Sequence, residues 1–194
     1  MNELEAVNTI LRTIGQVPVL AIPDSGMSDA RLAYETLTAY TKELQTEGYE
    51  FNTDDDVKLT PDNQGVVRVP ENAIRVWSYN PSHRYTVRAG TLYDLGNRTG
   101  TFTEPIKVSM VTLRPFEELP YTLQRYVVIR SARVFANQTI GAQEQNSYNQ
   151  EDEVRARLAW LNSLAEDMDL NVLSSTSHTK GNVYRPYNTM RRYQ

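Results

Sequence analysis

The sequence predicts an α+β protein: a four-helix bundle interrupted by an inserted antiparallel β lobe and followed by an extended C-terminal tail. Three observations predict it. Apolar residues recur at helical spacing towards both ends of the chain, whereas residues 49–114 alternate β-branched residues between turn clusters. Residues 173–194 carry no apolar period at all. At 194 residues, the chain is one compact domain or two small ones sharing a core.

The first helix is marked by Leu4, Val7, Leu11 and Ile14, with Gly15 as its stop. Residues 16–27, with Pro18, Pro23, Asp24 and Gly26, form a loop. Ser28 is placed to cap the second helix, and Asp29 suits the positive end of its dipole. Ala30, Ala33, Leu37, Tyr40 and Leu44 stripe that helix, which ends near Gly48. Residues 1–48 are therefore the first half of the bundle.

Residues 49–114 are the lobe, with four to six short strands expected. Val66–Val69, Tyr85–Arg88 and Ile106–Val111 carry the β pattern, separated by the turn clusters 60–65 and 95–100. The helical period returns at Phe116, with Leu119, Leu123, Tyr126, Val127 and Val134 on a helix stopped by Gly141. Residues 142–150 are polar, a loop or a helix end. Val154, Leu158, Leu161, Ala165, Met168 and Val172 then form a nearly strict heptad, expected to pack against the other helices rather than to pair in a coiled coil. Residues 115–173 complete the bundle and 174–194 form the tail.

Composition excludes much chemistry. With no Cys, the chain has no disulfide, thiolate zinc site or cysteine nucleophile. Two histidines, His83 and His178, leave almost nothing for a His-based metal site or triad, and turn and tail positions explain them. Phosphate-loop, dinucleotide-binding and nucleophile-elbow glycine patterns are missing. No cofactor and no metal are expected. No window approaches the roughly 18 apolar residues of a membrane span. The acidic start MNELEA differs from the basic start of a signal peptide, so synthesis in the cytoplasm is expected. Counting Gly in place of Tyr, apolar residues make up about 38% of the chain against roughly 45–50% in typical domains. Thr, Asn, Gln and Ser fill the difference, not charge.

The formal charge of −4 divides unevenly: −8 over residues 1–169 and +4 over residues 170–194. Asp54, Asp55 and Asp56 are the densest acid run. A solvated turn explains them better than a cation site, because consecutive acids diverge and lack calcium-loop spacing. Glu117-Glu118 and Glu151-Asp152-Glu153 suit helix starts. Trp77 and Trp160 are core or interface anchors. In the tail, Lys180, Tyr184, Arg185, Tyr187, Arg191, Arg192 and Tyr193 interleave cations with aromatics. Such residues stack on bases and also dominate protein–protein hot spots. Four charges against an acidic body favour a protein-docking arm over a nucleic-acid arm.

Seven segments in order resemble one known family. They are Glu5-Ala6-Val7-Asn8 through Pro18-Val19; Gln45-x-Glu47-Gly48-Tyr49-x-Phe51-Asn52-Thr53; and Pro61 to Gly65-x-Val67-x-Val69-Pro70-x-Asn72. Arg88-x-Gly90-x-Leu92-Tyr93-Asp94, Phe116-Glu117-x-Leu119-Pro120, Arg130-x-Ala132-Arg133-x-Phe135 and Asp169-x-Asn171-x-Leu173 follow. Together they resemble tail tubular protein A, the head–tail adaptor of T7-like podoviruses, over about residues 4–173.

That resemblance implies a non-enzymatic virion protein in a dodecameric ring. Its partners would be the portal protein, tail tubular protein B of the nozzle, and the tail fibre, with DNA passing through unbound during ejection. The acidic body would keep DNA off the channel wall, with Asp54, Asp55 and Asp56 as a lining element. The competing class is a tail-associated wall or polysaccharide hydrolase, which needs a carboxylate pair in a cleft.

Overall fold

A computed structural model describes residues 1–26, 28–139 and 143–167. The described residues are α+β, with four helices and antiparallel sheets. Helix α1 spans Glu3–Thr13 and α2 spans Asp29–Gln45. Both begin where their caps dictate. The Asn2 Oδ1 accepts the Glu5 N–H at 2.7 Å while Glu5 accepts the Asn2 N–H at 3.0 Å, a reciprocal capping box. Ser28 Oγ accepts the Arg31 N–H at 3.2 Å. Gly15 ends α1 at φ +76°, a conformation glycine adopts without strain. The intervening loop is pinned to α1, because Asn8 both donates to the Val19 carbonyl (3.0 Å) and accepts its N–H (2.8 Å).

The lobe has five strands: β1 Thr53–Leu59, β2 Ala73–Ser78, β3 Tyr85–Arg88, β4 Thr91–Asp94 and β5 Ile106–Thr112. The order β1-β5-β2 forms one antiparallel sheet, and β3-β4 is a separate hairpin. Two expectations change here. The Asp54–Asp56 run is not a turn but part of β1, where a bulge falls between Asp54 and Val57 and Asp56 sits at φ +56°. Val66–Val69 is not a regular strand. It makes isolated bridges, Val66 to Thr101 and Arg68 to Thr91, between Gly65 at positive φ and Pro70, which donates no hydrogen bond. Val67 is nevertheless fully buried among Val76, Leu92, Val108 and Met110. This lobe core is separate from the helical one.

After β5 the chain makes a single 3₁₀ turn, Phe116–Glu118, before α3, Tyr121–Thr139. The third helix was expected to run on from Phe116. Pro120 interrupts it, since the residue before a proline is disfavoured in helix. The Gln124 side chain ties this turn to α3, donating to the carbonyls of Phe116, Glu117 and Leu119 at 3.2, 3.1 and 3.0 Å. Helix α4, Gln143–Asp167, begins earlier than the apolar pattern implied, in the polar stretch. Helices α1, α2 and α3 pack on one another in all pairings, and α4 packs along α3. Among the described residues no helix is long and apolar enough to cross a membrane.

The heptad of α4 does not pack inward. Val154, Leu158 and Leu161 are 52, 53 and 44% exposed, and Ala165 is exposed with them. The inward face is Ala156, Trp160 and Leu164, with Trp160 only 2% exposed. Spacing alone reads the same for a face that packs and for one left open; Trp160 decides between them by meeting Tyr49 and Phe51 edge-on at 5.2 and 6.2 Å. Met168 and Val172 lie outside the described residues.

Candidate interaction surfaces and the helix–sheet junction

The three aspartates of β1 do not converge. Asp54 accepts from Thr112 Oγ1 at 3.2 Å and faces Arg114 at 3.5 Å. Asp56, swung out by the bulge, pairs with Lys107 at 2.8 Å, and that carboxylate raises the lysine's pKa above its usual range. Asp55 is exposed. Two of the three charges are thus answered by cations from β5 and the segment after it. Among the described residues no group of three His, Asp or Glu is placed to hold a metal ion. The tail residues Lys180, Tyr184, Arg185, Tyr187, Arg191, Arg192 and Tyr193, and His178, lie outside the described residues. His83 closes a turn, donating its N–H to the Asn80 carbonyl at 3.1 Å, and stacks on Tyr85.

The best-defined polar cluster joins the helices to the sheet. Gln45, at the end of α2, and Asn52, just before β1, are both completely buried. The Gln45 amide donates to the Thr41 and Arg114 carbonyls at 3.1 and 3.0 Å and accepts the Arg114 N–H at 2.8 Å. Asn52 donates to the carbonyls of Gln45 (3.0 Å) and Thr112 (3.3 Å) and accepts the Tyr49 N–H at 2.8 Å. Gly48 lies between them at φ +78°, where a Cβ would fall 2.8 Å from both Arg75 and Val111. Two amides therefore weld the outgoing and returning strands of the lobe to the end of one helix. Sequence reasoning gave Gln45 and Asn52 no individual role; the signal available was two amides flanking a glycine at a helix end.

Beside this junction a cleft of about 350 Å³ opens between α2, α3 and α4. It is lined in part by Glu43, Glu47, Tyr49, Arg130 and Trp160. Its two carboxylates are already engaged: Glu43 pairs with Arg130 at 3.0 Å, and Glu47 accepts the Tyr49 hydroxyl at 2.8 Å. Burial pushes the Tyr49 pKa well above the ordinary tyrosine range, and Glu47 pushes the same way, so the hydroxyl stays a donor. Arg130 also lies over the Tyr40 ring at 4.9 Å, and Arg133 pairs with Glu153 to tie α3 to α4. These arrangements hold helices together.

The same is true of the ordered sequence segments. In the fourth, Ala89 and Gly90 take positive φ to turn the hairpin, Arg88 covers the Tyr93 ring at 3.8 Å, and Leu92 is fully buried. Asp94 anchors the next turn through the Gly96 and Asn97 N–H groups at 2.7 and 3.1 Å. Burial opposes its charge, but those donors outweigh it and hold the carboxyl below the usual range. The seventh segment lies outside the described residues. A family model described as Tail tubular protein matches residues 4–170, nearly the same span. The chain belongs to the tail tubular protein family. Tail tubular protein A of Klebsiella phage KP34 is 33% identical over 154 residues, covering 79% of this chain and 82% of that protein. Family membership makes this a structural component of a phage tail, hence of the virion, and points away from enzymatic work.

Proposed function

We propose that the chain is a ring-forming head–tail adaptor that joins the portal protein to the nozzle of tail tubular protein B, with the tail fibre attached around the junction. The observation that carries this reading is the match to the tail tubular family over residues 4–170. The junction at Gln45 and Asn52 supports it: two modules with separate cores, held in fixed relation, can face two different neighbours. In this reading the helical halves, residues 1–48 and 115–173, form one four-helix body, the lobe is 49–114, and 174–194 is an extended arm.

The ring is dodecameric by family analogy, and DNA passes through it without specific binding. The −8 charge of residues 1–169 supports a channel wall that repels the passing duplex. Of the proposed lining residues Asp54, Asp55 and Asp56, Asp55 carries most of that role, because the other two have cationic partners. The arm, through Lys180, Tyr184, Arg185, Tyr187, Arg191, Arg192 and Tyr193, docks on the portal or a neighbouring copy, accepting the ordering entropy such segments lose on binding. The test is particle size by light scattering, alone and mixed with portal, for the full chain and for a chain lacking residues 174–194. A ring-sized portal complex that forms with the full chain and weakens on truncation is expected. Absence of any complex with portal overturns the adaptor reading, and unchanged attachment by the truncated chain overturns the arm.

A further inference from the structure

Within the acidic body, one part of the lobe is basic. Residues 61–103 hold five arginines against Asp62, Glu71 and Asp94, a net of +2 inside the −8 of residues 1–169. Two of these acids are spent on their own turns. Asp62, within electrostatic reach of Arg68, accepts the Gln64 and Val66 N–H groups at 2.9 Å. Asp94 is buried and holds the turn after β4.

The register of β3 and β4 gathers the cations. Directly opposed residues share a face, so Arg88 and Thr91 stand with Thr86 and Tyr93, while Val87, Leu92, Tyr85 and Asp94 take the other side. That second side turns inward: Leu92 is fully buried and Tyr85 packs on the lobe core. The bridge from Arg68 to Thr91 brings Arg68 onto the outer face, next to the buried Val67. Arg84 joins it by alternation from Tyr85, and Arg98 is exposed on the turn that follows β4. Arg68 and Arg88 therefore flank Thr91, about 10 Å apart across the pairing. Arg88 is held over the Tyr93 ring at 3.8 Å, so it has less side-chain freedom to lose on binding. Among the described residues, none of Arg68, Arg84, Arg88 and Arg98 forms an ion pair.

We propose that this outer face of the β3–β4 hairpin binds the phosphate backbone of double-stranded DNA. Exposed arginines on a paired backbone, with no acid on the same face, suit a polyanion. Surfaces that meet DNA are more polar and more positive than those that meet protein. The face also lacks the large apolar anchor on which protein docking centres: Tyr93 is covered by Arg88, and Leu95 stands at the margin, where its N–H donates to the Arg84 carbonyl. Phosphate contacts carry no sequence information, so passage without specific binding is retained. A few such contacts are weak, and the acids of the remaining body oppose them, which lets a duplex move on. The setting of this contact, a channel that repeats it once per copy, rests on the adaptor reading; binding of DNA by the chain does not.

The test is binding of the full-length chain to a short fluorescent duplex, read by anisotropy across a salt series. Log affinity falls against log salt with a slope of about −0.9 per phosphate contact. Replacing Arg68 and Arg88 together by alanine is expected to make that slope shallower by about 1.8 and to weaken binding about tenfold or more at roughly 50 mM salt. Arg84→Ala alone is expected to give about half that change in slope. Arg12→Ala with Arg125→Ala removes the same charge from exposed sites on α1 and α3, and is expected to leave the slope as it was. Absence of salt-dependent binding by the unmodified chain overturns the proposal. An unchanged slope in the Arg68 and Arg88 variant overturns it by assigning the binding to the basic tail, and an equal loss in the Arg12 and Arg125 variant does so by assigning it to net charge. A lobe variant that binds DNA normally but no longer joins the portal overturns it in favour of an acidic protein partner. Portal assembly is scored separately: its failure with the unmodified chain removes the adaptor reading and leaves the DNA contact standing.

Discussion

Replacing Gln45 by leucine removes the helix–sheet weld while changing little in volume. Three hydrogen bonds disappear, of which the one to the Thr41 carbonyl matters least, because that oxygen sits inside α2 and keeps its helical partner. The Arg114 N–H and carbonyl lose their partners at 2.8 and 3.0 Å in half-buried surroundings. Each unsatisfied buried group costs about 1–3 kcal/mol, and partial access to water and the added apolar side chain bring the net to roughly 2–3 kcal/mol. For a chain of this size that lowers Tm by roughly 5–10 °C. Urea titration reads the free energy, and hydrogen exchange at the Arg114 amide reads the cause. Gln45→Glu adds a check with a definite sign. A carboxylate buried against two carbonyls has its folded pKa raised, so stability is retained below the unfolded value of about 4.3 and lost as pH rises through the folded one. A Gln45→Leu loss under about 0.5 kcal/mol, or an Arg114 amide that stays protected, would refute the weld as the element that positions the lobe.

Other consequences are as direct. Gly48→Ala combines a positive φ with a Cβ 2.8 Å from Arg75 and Val111; the arginine can swing away but the buried Val111 cannot, so about 2 kcal/mol or more is lost in a denaturant titration. Trp160→Ala empties the contact with Tyr49 and Phe51 and costs about 3–5 kcal/mol, with faster hydrogen exchange along α4. By contrast, Leu158→Ser on the outer face changes the unassembled protein by no more than about 0.5 kcal/mol in the same titration. Asp94 has a depressed folded pKa, so its contribution is complete above the unfolded carboxylate value of about 3.9 and is lost as pH falls through the folded one. Asp94→Asn flattens that acid limb in a thermal-melt series, and an unchanged limb would show the turn does not depend on the charge.

What was legible in the sequence is what short-range chemistry decides. Ser28 and Gly15 act on residues within a turn of themselves, so the start of α2 and the stop of α1 could be read directly, whereas the Asn2 cap of α1 was not read. Tyr85–Arg88 and Ile106–Val111 alternate cleanly and are strands. The Asp54–Asp56 run misled because acids are poor strand formers in isolation; pairing with β5 and the cations Lys107 and Arg114 overrides that preference. The candidate site was less legible. Gln45, Asn52 and Gln124 are polar residues whose value comes from carbonyls brought to them by distant chain, and no local pattern marks which buried amide will find partners.

By itself, then, the sequence determined the succession of helices and strands, the division of charge between body and tail, and the family. It did so because caps, turn residues, periodicity and motif order are all written over short spans. Tertiary structure alone decided which face of α4 turns inward. Both faces carry apolar residues, and the choice depends on Trp160 meeting Tyr49 and Phe51, which are far from it in the sequence. Burying that one large ring leaves Val154, Leu158 and Leu161 in water. A heptad that looks like core in the sequence becomes, in the folded chain, a surface free to meet another molecule.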